Sequence, residues 1–169
     1  MAATLPVVLT ALAGCAGLPK LEGRIESQAL TDTTDTRLGN AVQAAAAAHP
    51  GTSGVYPLER AQDAFAARAL LVRAAQRSLD VQYYIWHGDT TGYLLLGEVW
   101  NAAERGVRVR LLLDDNGIAG LDPALAVLDE HENIEVRLFN PFVSRGFKAL
   151  GYVTDFSRVN RRMHNKSLT

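Results

Sequence analysis

Apolar and polar positions along this chain fall into blocks, and the period changes from block to block. Over residues 57–77 apolar side chains recur at helical spacing, with Ala61, Phe65, Ala69 and Val72 on one side, Leu70 and Leu71 nearby, and Pro57 suited to a first turn. Over residues 78–86 the period drops to two. Leu79, Val81, Tyr83 and Ile85 alternate with Asp80, Gln82, Tyr84 and Trp86, which predicts a strand rich in β-branched and aromatic residues. A helix is expected at about 92–105, opened by Asp89, Thr90 or Thr91, buried through Leu94, Leu95, Leu96, Val99, Trp100 and Ala103, and closed by Gly106. Residues 107–113, nearly all apolar except Arg108 and Arg110, read as an interior strand. A helix at about 123–131 carrying Leu125 and Leu128, and a third strand at 134–139, follow.

The flanks are less regular. An alanine-rich helix is expected over 35–48, stopped by His49-Pro50-Gly51 and weakly anchored because alanine buries little area, and residues 54–56 read as a short strand. Residues 140–162 form an irregular excursion with some helix near 152–160, and another strand is expected from Met163. Strand, helix, strand, helix, strand with short connections predicts an α/β fold, a mainly parallel sheet flanked by helices, with ligands beyond the carboxyl ends of the strands.

Composition narrows this picture. Apolar residues make up 48% and charged residues 21% of 169, which favours a packed domain over disorder. A net charge of −1 argues against a surface built to coat nucleic acid. That average conceals a basic segment: Arg145, Lys148, Arg158, Arg161, Arg162 and Lys166 are opposed within it only by Asp155. It reads either as a local anion site or as a solvated basic face.

Cys15 is the one cysteine, so no internal disulfide is possible. Residues 1–17 carry no charge and have the length of a signal-peptide apolar region, too short to span a bilayer comfortably. Leu12-Ala13-Gly14-Cys15 looks like a bacterial lipobox, which makes Cys15 a lipidation candidate, although no Lys or Arg precedes the run. The expected organisation is a lipoprotein-type signal peptide over 1–15, a polar tether over 16–36, and a folded domain over 37–169. No nucleotide-binding loop, C-x-x-C or H-E-x-x-H is present, so no cofactor is expected. Asp114-Asp115-Asn116-Gly117 has too few ligands for a calcium loop and reads as a polar turn, with no metal assigned.

His164 and Lys166 carry the candidate chemistry. On a strand they project to one face about 6–7 Å apart, with Asn165 turned away. A neutral imidazole can attack phosphorus while an ammonium neutralises the non-bridging oxygens. Alone, such a pair is most often a chance surface feature.

The wider residues carry a resemblance. His164-Asn165-Lys166 resembles the opening of the H-x-K-x-x-x-x-D signature of the phospholipase D superfamily, whose Asp would fall two positions past Thr169. The stretches 78–86, 92–96, 105–117 and 154–166 resemble the N-terminal half of bacterial phospholipase D-like cardiolipin synthases, most nearly the branch called cardiolipin synthase C. The resemblance implies a phosphohistidine intermediate on His164, with Lys166 beside it and a second signature supplied outside this chain, so that this chain alone is expected to be inactive. It implies a phospholipid substrate, membrane association through the lipid anchor in the bacterial cell envelope, pairing with a missing C-terminal half, and no specific nucleic acid. Two alternatives stay open: a dimeric nuclease of the same superfamily, and a non-catalytic truncated lipoprotein. Tyr83, Tyr84 and Trp86 are either pocket-lining or core; His49, His87 and His131 are expected to be bystanders.

Overall fold

A computed structural model describes Leu18, Lys20 and residues 25–169. The lipobox, Cys15 and most of the signal-peptide and tether calls lie outside the described residues.

Four strands form one sheet in the order β3-β2-β1-β4: β1 (Ser78–Tyr83), β2 (Arg108–Asp114), β3 (Ile134–Phe139) and β4 (Lys166–Leu168). β1 pairs with β2 and β2 with β3 in parallel, as crossover helices require; β4 returns antiparallel to β1. The expected α/β architecture with a mainly parallel sheet is therefore what the chain adopts.

One face of the sheet holds the core. Leu79 and Val81 from β1 and Val109, Leu111 and Leu113 from β2 are buried against Val72, Leu95, Leu96, Val99, Leu125 and Leu128. Those helical residues come from α2 (Ala61–Ala74), α3 (Thr90–Glu104) and α4 (Asp122–Asp129). Asp89 caps α3 by accepting from the Gly92 N–H at 2.8 Å, and Gly106 ends that turn with φ +84, a conformation glycine adopts without strain.

The other face is polar. Arg110 forms a two-point pair with Asp80 across β1 and β2. Arginines on this face also hold the extended segment 25–28: Arg137 donates to the Ile25 carbonyl at 2.9 Å, Arg110 to the Ser27 carbonyl at 2.8 Å, and Arg108 to the Gln28 carbonyl at 2.9 Å. Part of the segment read as a tether thus lies against the sheet.

Several boundaries differ from expectation. α2 starts at Ala61 because Arg60 remains extended, so Pro57 stands outside it. Residues 54–56 form no strand, and Val55 and Tyr56 are exposed. α1 (Arg37–Ala48) buries no residue, as its alanine content implies. The alternation in β1 breaks after Tyr83: Trp86 is buried and Ile85 exposed, the reverse of their expected sides. The chain turns there, and the Trp86 N–H donates to the Gly117 carbonyl at 2.9 Å instead of continuing the ladder. Helix in the excursion is split into α5 (Ala149–Thr154) and α6 (Phe156–Val159) by Asp155, whose φ of −148 is not helical.

Candidate active site

The site lies at the carboxyl ends of β1 and β2, where β4 begins. β4 is shorter than expected, so His164 precedes the assigned strand. The pairing nevertheless extends to it: the Tyr84 N–H donates to the Asn165 carbonyl at 2.9 Å, and Tyr83 is registered opposite Lys166.

His164 and Lys166 meet at one ring. The His164 imidazole stacks on Tyr84 with centroids 4.4 Å apart and planes 28° from parallel. The Lys166 ammonium lies 5.5 Å from the same centroid and donates to the His164 carbonyl at 3.3 Å. Both are exposed. Asn165 between them donates to Gln82 Oε1 at 2.6 Å. An imidazole and an ammonium on one accessible surface can engage a single phosphate from adjacent positions.

Behind this pair stands a buried carboxylate. Asp114, at the end of β2, is fully buried. It accepts from the Met163 N–H at 2.9 Å, from Arg162 Nη1 at 2.8 Å and from the Asn116 N–H at 2.9 Å. Two of those donors belong to the residues just before His164, so Asp114 sets the path by which the chain reaches the site. Its neighbour Asp115 is equally buried and accepts from the Phe142 N–H at 2.7 Å, from Lys148 at 2.8 Å and from Arg145. Burial alone would push the Asp115 carboxyl up; Lys148, the Phe142 N–H and Arg145 outweigh that and hold it below the usual carboxylate range.

Of the two readings of the basic segment, these contacts rule against a broad local anion site. Arg145 pairs with Asp115 and Asp122, Lys148 with Asp115, Arg158 with Asp155, and Arg162 with Asp114. Three of those acids lie outside the segment in sequence. Among the described residues only Arg161 and Lys166 of the six have no acidic partner, so Lys166 is the cation left free beside His164. The Asp114–Gly117 stretch is a turn, as expected, but its two carboxylates are interior anchors for the excursion.

The aromatic residues divide. Trp86 is core, Tyr83 packs edge-on against it at 5.1 Å, and Tyr84 belongs to the site. His131 sits edge-on to Trp100 at 4.9 Å, and His49 and His87 are exposed. A groove of about 670 Å³ lies at the opposite end of β1, between α1, α2 and Ser78, and touches neither candidate residue. No group of acidic, histidine or cysteine side chains suited to a metal occurs among the described residues.

Comparison with known proteins shows what this chain is similar to. Cardiolipin synthase C of Escherichia coli K12 is 59% identical over 133 residues, 79% of this chain and 28% of that protein. Over most of its length the chain is similar to a cardiolipin synthase. Cardiolipin synthase 2 of Staphylococcus epidermidis is 46% identical over 46 residues, 27% of this chain and 9% of that one. This chain thus spans under a third of the length of the curated relatives it matches. No family model matches it. Among solved structures, NucT from Helicobacter pylori aligns over 46% of this chain and 47% of its own at 20% identity with a TM-score of 0.38, a likeness too slight to bear on function.

Proposed function

We propose that the chain is the N-terminal part of a phospholipase D-type phosphatidyltransferase or phosphodiesterase that acts in cardiolipin synthesis from glycerophospholipids. The observation that carries this is the exposed His164–Lys166 pair gathered at the Tyr84 ring, with the residues just before it bonded to the buried Asp114. Identity to cardiolipin synthase C over most of the chain supports the lipid substrate.

In this reading an imidazole nitrogen of His164 attacks the phosphorus of a phospholipid. A nitrogen–phosphorus bond forms and the bond to the leaving alcohol's oxygen breaks, with that oxygen protonated by a second histidine from the remainder of the enzyme. Lys166 leaves the His164 carbonyl for a non-bridging oxygen, where its charge offsets the one developing in the transition state. An incoming alcohol, deprotonated by the second histidine, then takes the phosphatidyl group and restores His164. The chain alone therefore turns over no substrate.

Cys15, in this proposal, carries a lipid anchor that holds the site near the bilayer of the bacterial envelope. No helix among the described residues is long and apolar enough to cross a membrane, so a tether would supply the attachment. Radiolabelled palmitate incorporated by wild type and lost in Cys15→Ser tests this part.

The decisive experiment uses the full-length protein with phosphatidylglycerol vesicles and follows cardiolipin by mass spectrometry. His164→Ala should abolish transfer while leaving the melting temperature unchanged, because the imidazole is exposed. Near-normal transfer by that variant removes His164 from the mechanism. Cleavage of single-stranded DNA, with binding that weakens as salt rises, would move the protein to the nuclease reading.

A further inference from the structure

We infer that Tyr84 is a positioning residue, its ring the surface on which His164 and Lys166 are held in reacting order. The inference rests on the roles proposed for those two residues and adds a third to them.

Tyr84 is fixed from both sides. Its N–H is bonded to the Asn165 carbonyl between the two candidate residues, and its own carbonyl lies against Gly117, where a Cβ would come within 1.9 Å of that oxygen. The backbone therefore ties the ring to the His164–Lys166 segment and to the turn after β2. The imidazole stacks on the ring with centroids 4.4 Å apart, and the ammonium lies 5.5 Å from the same centroid.

Neither neighbour has another side-chain partner among the described residues; Lys166 has only the His164 carbonyl. An exposed imidazole and a flexible lysine otherwise sample many rotamers, and ordering both costs conformational entropy. A π face suits this task. It attracts a stacked ring and a cation without taking an imidazole lone pair, an imidazole proton or the net charge of the ammonium. A carboxylate in the same place would neutralise Lys166, as Asp114 and Asp115 neutralise their arginines. The Tyr84 hydroxyl makes no hydrogen bond among the described residues, so the role belongs to the ring.

The test compares Tyr84→Phe with Tyr84→Leu in the full-length protein. Readouts are kcat and KM for phosphatidylglycerol in mixed micelles, and the resonances of histidine-selective 13C labels assigned with a His164→Gln variant. Phe should leave kcat unchanged. Leu should lower kcat about tenfold with little change in KM. Leu should also move the His164 ring signals out of their ring-current-shifted positions, while those of His131, edge-on to Trp100, stay. A general loosening of the fold would move both histidines. Should Leu fail to fold, Tyr84→Met serves the same comparison. Wild-type kcat in the Leu variant, or His164 signals that do not move, would overturn the inference. A loss in Phe equal to that in Leu would overturn it as well, by assigning the role to the hydroxyl. Turnover retained by His164→Ala would instead sink the functional reading, and the resonance test would still report on the stack.

Discussion

Replacing Asp114 with leucine should be among the most destructive single changes in the chain. The side chain is fully buried and accepts three hydrogen bonds, from Met163 N–H, Arg162 and Asn116 N–H. Arg162 is nearly as buried, its side chain 9% exposed. Leucine has the same branching and number of heavy atoms but is larger, so no cavity opens and the electrostatic loss is joined by some overpacking. Removing one partner of a buried ion pair leaves the other charged and desolvated, at about 3–5 kcal/mol. Set against a total stability of about 5–15 kcal/mol for a domain, that is enough to unfold a marginal protein. The control is Arg162→Met in the same background. With both partners gone no charge is stranded, so the double variant should be more stable than Asp114→Leu alone. Urea unfolding of the full-length wild type, both single variants and the double variant completes the cycle. Simple additivity of the two losses would refute the claim that Asp114 and Arg162 form one coupled anchor. Because Met163 N–H is bonded to the same carboxylate, Asp114→Asn should also lower activity by more than its stability loss explains.

Three further outcomes follow from single contacts. The Asp115 carboxyl is held below its ordinary range, so the stability it confers is present above its unfolded value near ~3.9 and is lost as pH falls through the folded value. Melting curves of wild type should fall away below about pH 4, Asp115→Asn should show a shallower fall there, and an identical acid limb in both would contradict this assignment. Gly117→Ala would drive a Cβ into the Tyr84 carbonyl, and since backbone cannot rotate aside the change should cost about 1–3 kcal/mol and disturb the His164 resonances. Unaltered stability and spectra would show that the turn has room. Asp89→Ala removes the α3 cap and should lower stability by about 1 kcal/mol by urea titration, with Asp89→Ser restoring most of it.

What could be read from the chain follows from how local its determinants are. β1, β2, β3, α3 and α4 announce themselves because period, caps and turn residues lie within a few positions of one another. The break at Tyr84 was not legible. Apolar alternation continues on paper through Ile85, and only the bond from Trp86 to Gly117, across another strand's end, reverses the two sides. Likewise β4 was foreseeable as a strand but not as an antiparallel neighbour of β1, since direction depends on how the excursion over 140–162 returns.

The site divides in the same way. His164 and Lys166 were visible as a spacing, but their separation from the other cations of the basic segment was not. Arg162 finds its acid 48 positions earlier and Arg145 finds Asp115 30 positions earlier, so charge counted in a sequence window misses both neutralisations. A stretch that looks like a diffuse anion site is in the fold a set of internal braces, with Lys166 left over beside the imidazole. That contrast is the physical argument for the site. Cations used as structure are bonded to carboxylates, two of them fully buried, whereas the cation offered to a substrate lies beside an aromatic ring that leaves its charge intact. A second basic side chain released from its acid near His164, for example Arg162 by Asp114→Asn, would add charge there yet should slow transfer, because geometry and not the amount of positive charge limits the reaction.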